Sequence, residues 1–301
     1  MKKVIITGAS GFIGTALSKQ LLQDGVTVYG VGRNENRLNE LKNFGDFRPV
    51  IADFSDYDKL HEIIDDRDFD MLWHFSWQDA NLVTAECNDY NMQLKNIQAA
   101  CTVAEVAAKL KCAASANLSS TKQYTVELNY AQELLNPMLY GMSKKSAAEW
   151  FMTISYKNGV PCKNMLTPRI FGENLPKENP LHLFIRKLLA NEELNLISGE
   201  FPDDWLYIDD LVDGILHVAK SPKKYTEYYI GNQNITTFKE KLNLMKTVLS
   251  STSNLVFGTY PETHRVDYTK FDLAALQNDT GYVVKSDFAE NIRKTADWIK
   301  R

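Results

Sequence analysis

A phenol and an ammonium stand four residues apart in Tyr140-Gly141-Met142-Ser143-Lys144. On a helix that spacing puts both side chains on one face. A neighbouring cation favours tyrosinate and draws the phenol's pKa toward working pH, so Tyr140 can exchange a proton with a hydroxyl or a carbonyl. Alone, the pattern is equally that of an exposed helical pair. A second cluster is Thr7-Gly8-Ala9-Ser10-Gly11-Phe12-Ile13-Gly14. Glycines in such a run allow a tight turn, close approach of the backbone to a pyrophosphate and close packing of a helix on a strand. The helix N-terminus then offers unbonded N–H groups to the anion. Gly8, Ser10, Gly11, Phe12, Ile13 and Gly14 are therefore the residues expected to cradle a dinucleotide. Without a ligand the same run would be only a tight turn.

The next β-type run ends in Val31-Gly32-Arg33-Asn34, with no carboxylate before Glu35. A carboxylate there reads the ribose 2′-hydroxyl of NAD, whereas an arginine accommodates the 2′-phosphate of NADP. Arg33, supported by Arg37, thus points to NADP, with NAD as the alternative; the bland reading is two surface arginines. Asp53, followed by Phe54, is placed either to reach the adenine amino group or simply to cap a helix.

These residues need a scaffold, and the hydrophobic pattern supplies one. Val4 to Ile6, Thr27 to Val31, Pro49 to Ala52, Met71 to Phe75, Cys112 to Ser120 and Lys163 to Thr167 read as strands. Ser/Ala-rich Cys112 to Ser120 is a poor propensity match. Helical patterns lie between them, one carrying Tyr90, Leu94, Ile97, Cys101, Ala104 and Ala108 on its apolar face. Strands alternating with helices predict an α/β fold, a doubly wound parallel sheet of Rossmann type. Prolines Pro168, Pro176 and Pro180 then break the pattern. Residues 1–167 are expected to form the dinucleotide-binding domain, and 168–301 a smaller mixed substrate-binding domain with some segments returning to the sheet. In that part Asp210 is placed to cap a helix, and Thr237 with Glu240 forms a capping box.

The 301 residues are 44% apolar, which excludes disorder and suggests about two domains. A net charge of −4 argues against nucleic acid. Cys87, Cys101, Cys112 and Cys162 form no CxxC pair and the five histidines are scattered, so neither a metal nor a disulfide framework is expected. No apolar run is long enough for a membrane span, and a soluble, cytoplasmic protein is expected.

Taken together, the glycine turn and the Tyr140/Lys144 pair give a resemblance to the short-chain dehydrogenase/reductase superfamily, in its extended branch acting on nucleotide sugars. It covers nearly the whole chain. Asn117-Leu118-Ser119-Ser120 with Tyr124 is similar to the family's strand-end serine motif. Pro168-Arg169-Ile170-Phe171-Gly172 and Trp205-Leu206-Tyr207-Ile208-Asp209-Asp210 look like its later landmarks. The resemblance implies hydride transfer between a nicotinamide and a sugar carbon. Tyr140 would move the proton, Ser120 hold the oxygen, and Lys144 bind the nicotinamide ribose and tune Tyr140; Pro168 would flank the cofactor. It also implies a homodimer formed by the helices beginning near Tyr90 and Tyr140.

Departures narrow the reaction. Dehydratases of this branch carry an acidic pair after the strand-end hydroxyl, where Thr121-Lys122 stand here. That leaves a 4-ketoreductase, an epimerase or a combined enzyme, with Thr121 a substrate-contact candidate. Asp203 stands where the family commonly has a phosphate-binding arginine; Arg265 matches the later one, and Arg186 is a further candidate. His182 is either an acid near the sugar or a surface helix residue; His74, Trp77 and Trp205 read as packing or pocket-lining groups. The leading expectation is an NADP-dependent reductase of a nucleotide-linked 4-keto sugar. An NAD-dependent sugar-nucleotide epimerase, a reductase of a non-nucleotide carbonyl and a non-catalytic NADP-binding regulator are the alternatives.

Overall fold

The computed structural model describes residues 1–78, 89–127, 136–174, 176, 177, 179–262 and 264–301. The first half runs β1 (Lys3–Thr7), α1 (Phe12–Gln23), β2 (Thr27–Gly32), α2 (Glu35–Glu40), β3 (Phe47–Ile51), α3 (Leu60–Ile63), β4 (Met71–His74), α4 (Tyr90–Lys109), β5 (Ser115–Ser120), β6 (Thr125–Glu127), α5 (Asn136–Lys157) and β7 (Cys162–Thr167). The rest adds β8 (Arg169–Phe171), α6 (Pro180–Leu189), β9 (Leu194–Asn195), β10 (Trp205–Tyr207), α7 (Ile208–Lys220), β11 (Tyr225–Tyr229), α8 (Phe238–Val248), β12 (Leu255–Val256), β13 (His264–Val266), α9 (Ala275–Thr280) and α10 (Phe288–Ile299).

Seven strands make one parallel sheet in the order β11-β7-β5-β4-β1-β2-β3. This is the doubly wound arrangement, and the order reverses between β1 and β4, where such folds open a crevice at the carboxyl ends of the strands. Two apolar cores cover the two faces. One joins Leu17 and Leu21 of α1 to Leu211 and Ile215 of α7 and runs on into Phe238 and Leu242 of α8. The other packs Ala100, Val103 and Ala107 of α4 with Ala147 and Phe151 of α5. Late segments return to the first half in two places. β11 joins the sheet edge beside β7, and β13 pairs antiparallel with β6.

Three local expectations change. The apolar stripe expected on α4 is split: Tyr90 and Leu94 are 63% and 58% exposed, Ile97, Cys101 and Ala108 are half-buried and Ala104 is buried, beside Gln93, Asn96, Val103 and Ala107. Alanines at Ala99, Ala100 and Ala107 bring α4 close to the sheet and α5, so small residues rather than the bulky ones define its buried face. Asp210 sits in the first turn of α7 rather than at its cap, which is Tyr207. Its carboxylate accepts instead from Lys285 N at 3.2 Å and from Ser286, tying the C-terminal segment down. β5 begins at Ser115 instead of Cys112. It is a central strand despite its composition, with most of its polar groups bonded and Ser115 Oγ the exception: Asn117 donates to Asn164 on β7 at 2.9 Å, and Thr167 donates to the Ser119 carbonyl at 3.0 Å.

Candidate active site

Two turns at the carboxyl edge of the sheet carry the predicted residues. The first follows β1. Gly8 and Ala9 donate backbone N–H bonds to the Val31 carbonyl, and Gly11 N closes the turn onto the Gly8 carbonyl at 2.9 Å. Gly8 has φ +74°, and a methyl group there would lie 2.8 Å from Ser76 N. One on Gly14 would overlap the Gly8 carbonyl. Only glycine fits both places. Gly11 caps α1 without any side-chain bond, so the N–H groups that follow, through Phe12, Ile13 and Gly14, face the crevice with no protein cap. Ser10 Oγ lies against Gly32 at the end of β2. A cradle that a Cβ would fill, over an uncapped helix start, fits a dinucleotide pyrophosphate.

Arg33 and Arg37 are exposed just beyond β2, while Asn34 caps α2 by accepting from Arg37 N at 3.0 Å. Asp53 is a cap: its side chain accepts from Phe54 N at 2.7 Å and from Gln78 Nε2 at 3.2 Å, and Asp56 completes a capping box. Phe54 packs on Tyr57 with ring centroids 5.2 Å apart.

The second turn follows β5. Ser120 ends the strand and caps a single turn of 3-10 helix over Thr121–Tyr124, its Oγ accepting from Lys122 N at 3.2 Å. Thr121 is buried beside it. Helix α5 brings Tyr140 and Lys144 against this turn, and it can do so because of Gly141. A methyl group at Gly141 would overlap the Lys122 carbonyl oxygen. Lys144 is buried, donates to the Leu118 carbonyl at 3.0 Å, and sits 3.7 Å from the centroid of the Trp77 ring. Trp77 meets Tyr140 edge to face at 5.9 Å. Burial lowers the Lys144 pKa to about 7. The ammonium is held by a carbonyl dipole and an aromatic face, so Lys144 is readily drawn back to its charged form by any acceptor or anion that enters.

A hydrogen-bond network fixes the second turn from below. Glu227 of β11 accepts from Gln123 at 2.8 Å, Tyr124 at 2.7 Å and Asn164 at 2.7 Å. Gln123 in turn accepts from Ser119 Oγ at 2.6 Å. Sequence reasoning missed Glu227, Gly141 and the ammonium-facing role of Trp77. Only Gly141 left a local signal, a glycine inside a helical stretch.

The remaining candidates are spread more widely. Pro168 is buried between β7 and β8. Arg265 lines a small cavity with Lys122 and Arg169, whereas Arg186 is exposed on α6 and does not line it. Asp203 is buried and paired with Arg169 Nε at 2.6 Å. His182 is 3% exposed against the Trp298 ring, so the surface reading is overturned: α6 packs on α10 with this face inward. His74 is a core residue bonded to Thr7 Oγ1 at 2.8 Å and stacked on Phe151, and burial lowers its pKa to about 3. Trp205 packs inside and donates to Asp203. Among the described residues no cluster of three or more His, Cys, Asp or Glu is placed to hold a metal, and no helix is long and apolar enough to cross a membrane. Cys87 lies outside the described residues.

Known proteins share this architecture. The UDP-glucuronic acid 4-epimerase of Bacillus cereus, solved in complex with NAD and UDP-4-deoxy-4-fluoro-glucuronic acid, superposes with a TM-score of 0.80 over 99% of both chains at 18% identity. UDP-glucuronate 4-epimerase 1 of Arabidopsis thaliana is 22% identical over 98% of this chain and 76% of its own. CDP-abequose synthase of Yersinia pseudotuberculosis is 24% identical over 73% of this chain and 74% of its own. Residues 4–231, which hold both turns, the Tyr140/Lys144 pair and the whole parallel sheet, match one family description, and the chain belongs to the NAD dependent epimerase/dehydratase family.

Proposed function

We propose that this chain transfers hydride between a nicotinamide cofactor and a ring carbon of a nucleotide-linked sugar, as an NADP-dependent 4-keto-sugar reductase. One observation carries the reading: Ser120, Tyr140 and Lys144 converge at the end of β5 through the contact of Gly141 with the Lys122 carbonyl. The cofactor supplies or accepts the hydride; the protein supplies orientation and proton management. Ser120 Oγ holds the substrate oxygen, and Tyr140 gives it the proton as the carbonyl becomes an alcohol. Lys144 bonds the nicotinamide ribose, regains its charge there and favours the tyrosinate that remains. The glycine turn binds the pyrophosphate, Phe54 and Asp53 flank the adenine, and Pro168 backs the nicotinamide end.

Exposed Arg33, with no carboxylate at the end of β2, supports NADP. The second reading is an NAD-dependent 4-epimerase, favoured by relatives of that activity that align with nearly the whole chain. One experiment separates them: assay the purified chain for bound nucleotide and for net NADPH oxidation with a set of nucleotide-linked 4-keto sugars. NADPH consumption, weakened by Arg33→Ala at the level of NADPH affinity, supports the reductase. Tightly held NAD with no net oxidation supports the epimerase, and no binding of either cofactor overturns both.

We assign residues 1–167 to cofactor and most of 168–301 to substrate. A homodimer is part of the same proposal. Tyr90 and Leu94 on α4 and Met142 and Trp150 on α5 are all more than half exposed, giving two adjacent helices an apolar outer surface that a second copy would cover.

A further inference from the structure

The cavity beside the second turn has a volume of about 70 Å³ and an unusual electrostatic composition. Lys122, Arg169 and Arg265 line it together with Asp203 and Glu262. Both carboxylates are already engaged. Asp203 holds Arg169 and accepts from Trp205 Nε1 at 2.8 Å, and Glu262 accepts from Ser198 Oγ at 2.7 Å. Among the described residues neither Lys122 Nζ nor the Arg265 guanidinium has an ion pair. Three cations against two carboxylates leave the cavity one positive charge in surplus, with Asp203, which already holds Arg169, also attracting the Lys122 ammonium.

Position decides what fills it. Lys122 is two residues past Ser120, bonds it through the main chain, and abuts Gly141 next to Tyr140. Its ammonium thus belongs to the same rigid turn as the reacting end. At about 30 Å³ per water in the liquid, the space corresponds to about two waters and suits a small group such as a carboxylate.

We propose that Lys122, assisted by Arg265, is a specificity-determining residue that receives a carboxylate carried by the sugar itself. A carboxylate there would give the half-buried Lys122 ammonium a charged partner, which a neutral hydroxymethyl group would not. Burial and the nearby Arg169 charge lower the Lys122 pKa to about 8, which such an anion would reverse. The inference rests on the nucleotide-sugar reading, and the test separates the two.

UDP, GDP, CDP and dTDP are first screened by the melting temperature of the full chain. On the base that binds, the uronic-acid and neutral hexose forms are then titrated calorimetrically. The wild type should prefer the uronic acid by about tenfold or more, the scale of one charge-assisted hydrogen bond. Lys122→Gln should abolish that preference while leaving the neutral sugar unchanged, and Lys122→Arg should retain it. Equal affinity for both sugars in the wild type, or a preference that survives Lys122→Gln, overturns the inference alone. Equal weakening of both sugars and the free nucleotide assigns Lys122 to the diphosphate and also overturns it. If no nucleoside diphosphate binds, the nucleotide-sugar reading itself fails.

Discussion

The turns after β1 and β5 lie on the same edge of the same sheet, yet they are built by opposite means. The first is made of backbone. Its bonds run between main-chain atoms of Gly8, Ala9, Gly11 and Val31, and its glycines are required by a left-handed φ at Gly8 and by the contact at Gly14. The second is made of side chains drawn from distant segments. Ser119, Gln123 and Tyr124 converge with Asn164 on Glu227, about a hundred residues further along the chain. A backbone site suits a constant group such as a pyrophosphate; a side-chain site can be re-specified by changing one partner.

The sharpest test of this contrast removes the proposed proton donor without disturbing either turn. Tyr140→Phe should lower kcat by about 10²- to 10⁴-fold, the usual range for a positioned acid–base group. Affinity for the nicotinamide cofactor, which the first turn binds on the proposed reading, should stay within about twofold on fluorescence titration. Near-normal turnover would remove Tyr140 from the chemistry and leave the second turn without a catalytic role.

Gly141→Ala comes next. The added methyl meets the Lys122 carbonyl, a backbone atom that cannot swing away. Helix α5 must then back off from Ser120. Overpacking of this kind costs about 1–3 kcal/mol, and a denaturation midpoint should show a loss near the upper end. Turnover should fall with it while the cofactor still binds. If stability were unchanged, α5 would not be seated on the second turn as described.

Legibility in the sequence follows the same division. The glycine turn could be read directly, because strand, turn and helix are contiguous and the backbone requirement admits only glycine. Tyr140 and Lys144 were also readable, as a helical pair one turn apart. Glu227 was not: nothing near Tyr225–Tyr229 says that its carboxylate reaches under β7 to the Ser120 turn, since the link exists only once β11 joins the sheet edge. The α4 face was readable only in part, Ala104 being buried as the stripe required and Tyr90 and Leu94 not, for a related reason. Its large apolar residues suggested an inward stripe, but close helix packing selects alanines and leaves Tyr90 and Leu94 outside. Asp53 was readable as a cap, and the structure makes that bond.

Glu227→Gln probes the hidden link with a smaller effect. Its two carboxylate oxygens receive three donors, from Gln123, Tyr124 and Asn164. An amide in its place turns one acceptor into a donor facing other donors. Stability should drop by about 1–2 kcal/mol, the cost of a part-buried donor left unmatched. Because the network supports the Ser120 turn and not the glycine turn, kcat should fall more than cofactor affinity does. An equal effect on both would mean that β11 supports the whole edge and not the second turn specifically.

The last test concerns pH, and it too should separate the turns. The first turn has no titratable group in its backbone cradle. The second site contains Lys144, whose pKa burial lowers to about 7 from the ordinary 10.5. Between those values the unfolded chain holds the lysine proton and the folded chain has released it. The unfolded state therefore binds more protons, and stability rises with pH across that window. Below about pH 7 both states are protonated and the full cost of burying the charge is present. Lys144→Met removes this contribution while leaving those of Lys122 and Lys163, which burial also shifts downward, in place. Denaturation of the cofactor-free chain at pH 7 and pH 9 should thus show a shallower rise in the variant, by up to about 1.4 kcal/mol per pH unit for one proton. The variant should also be the more stable of the two at pH 7, and inactive. Identical slopes would mean that Lys144 stays charged in the free protein, its ammonium already satisfied by the Leu118 carbonyl and the Trp77 face. Cofactor would then find a lysine set in its working state, as the first turn already is.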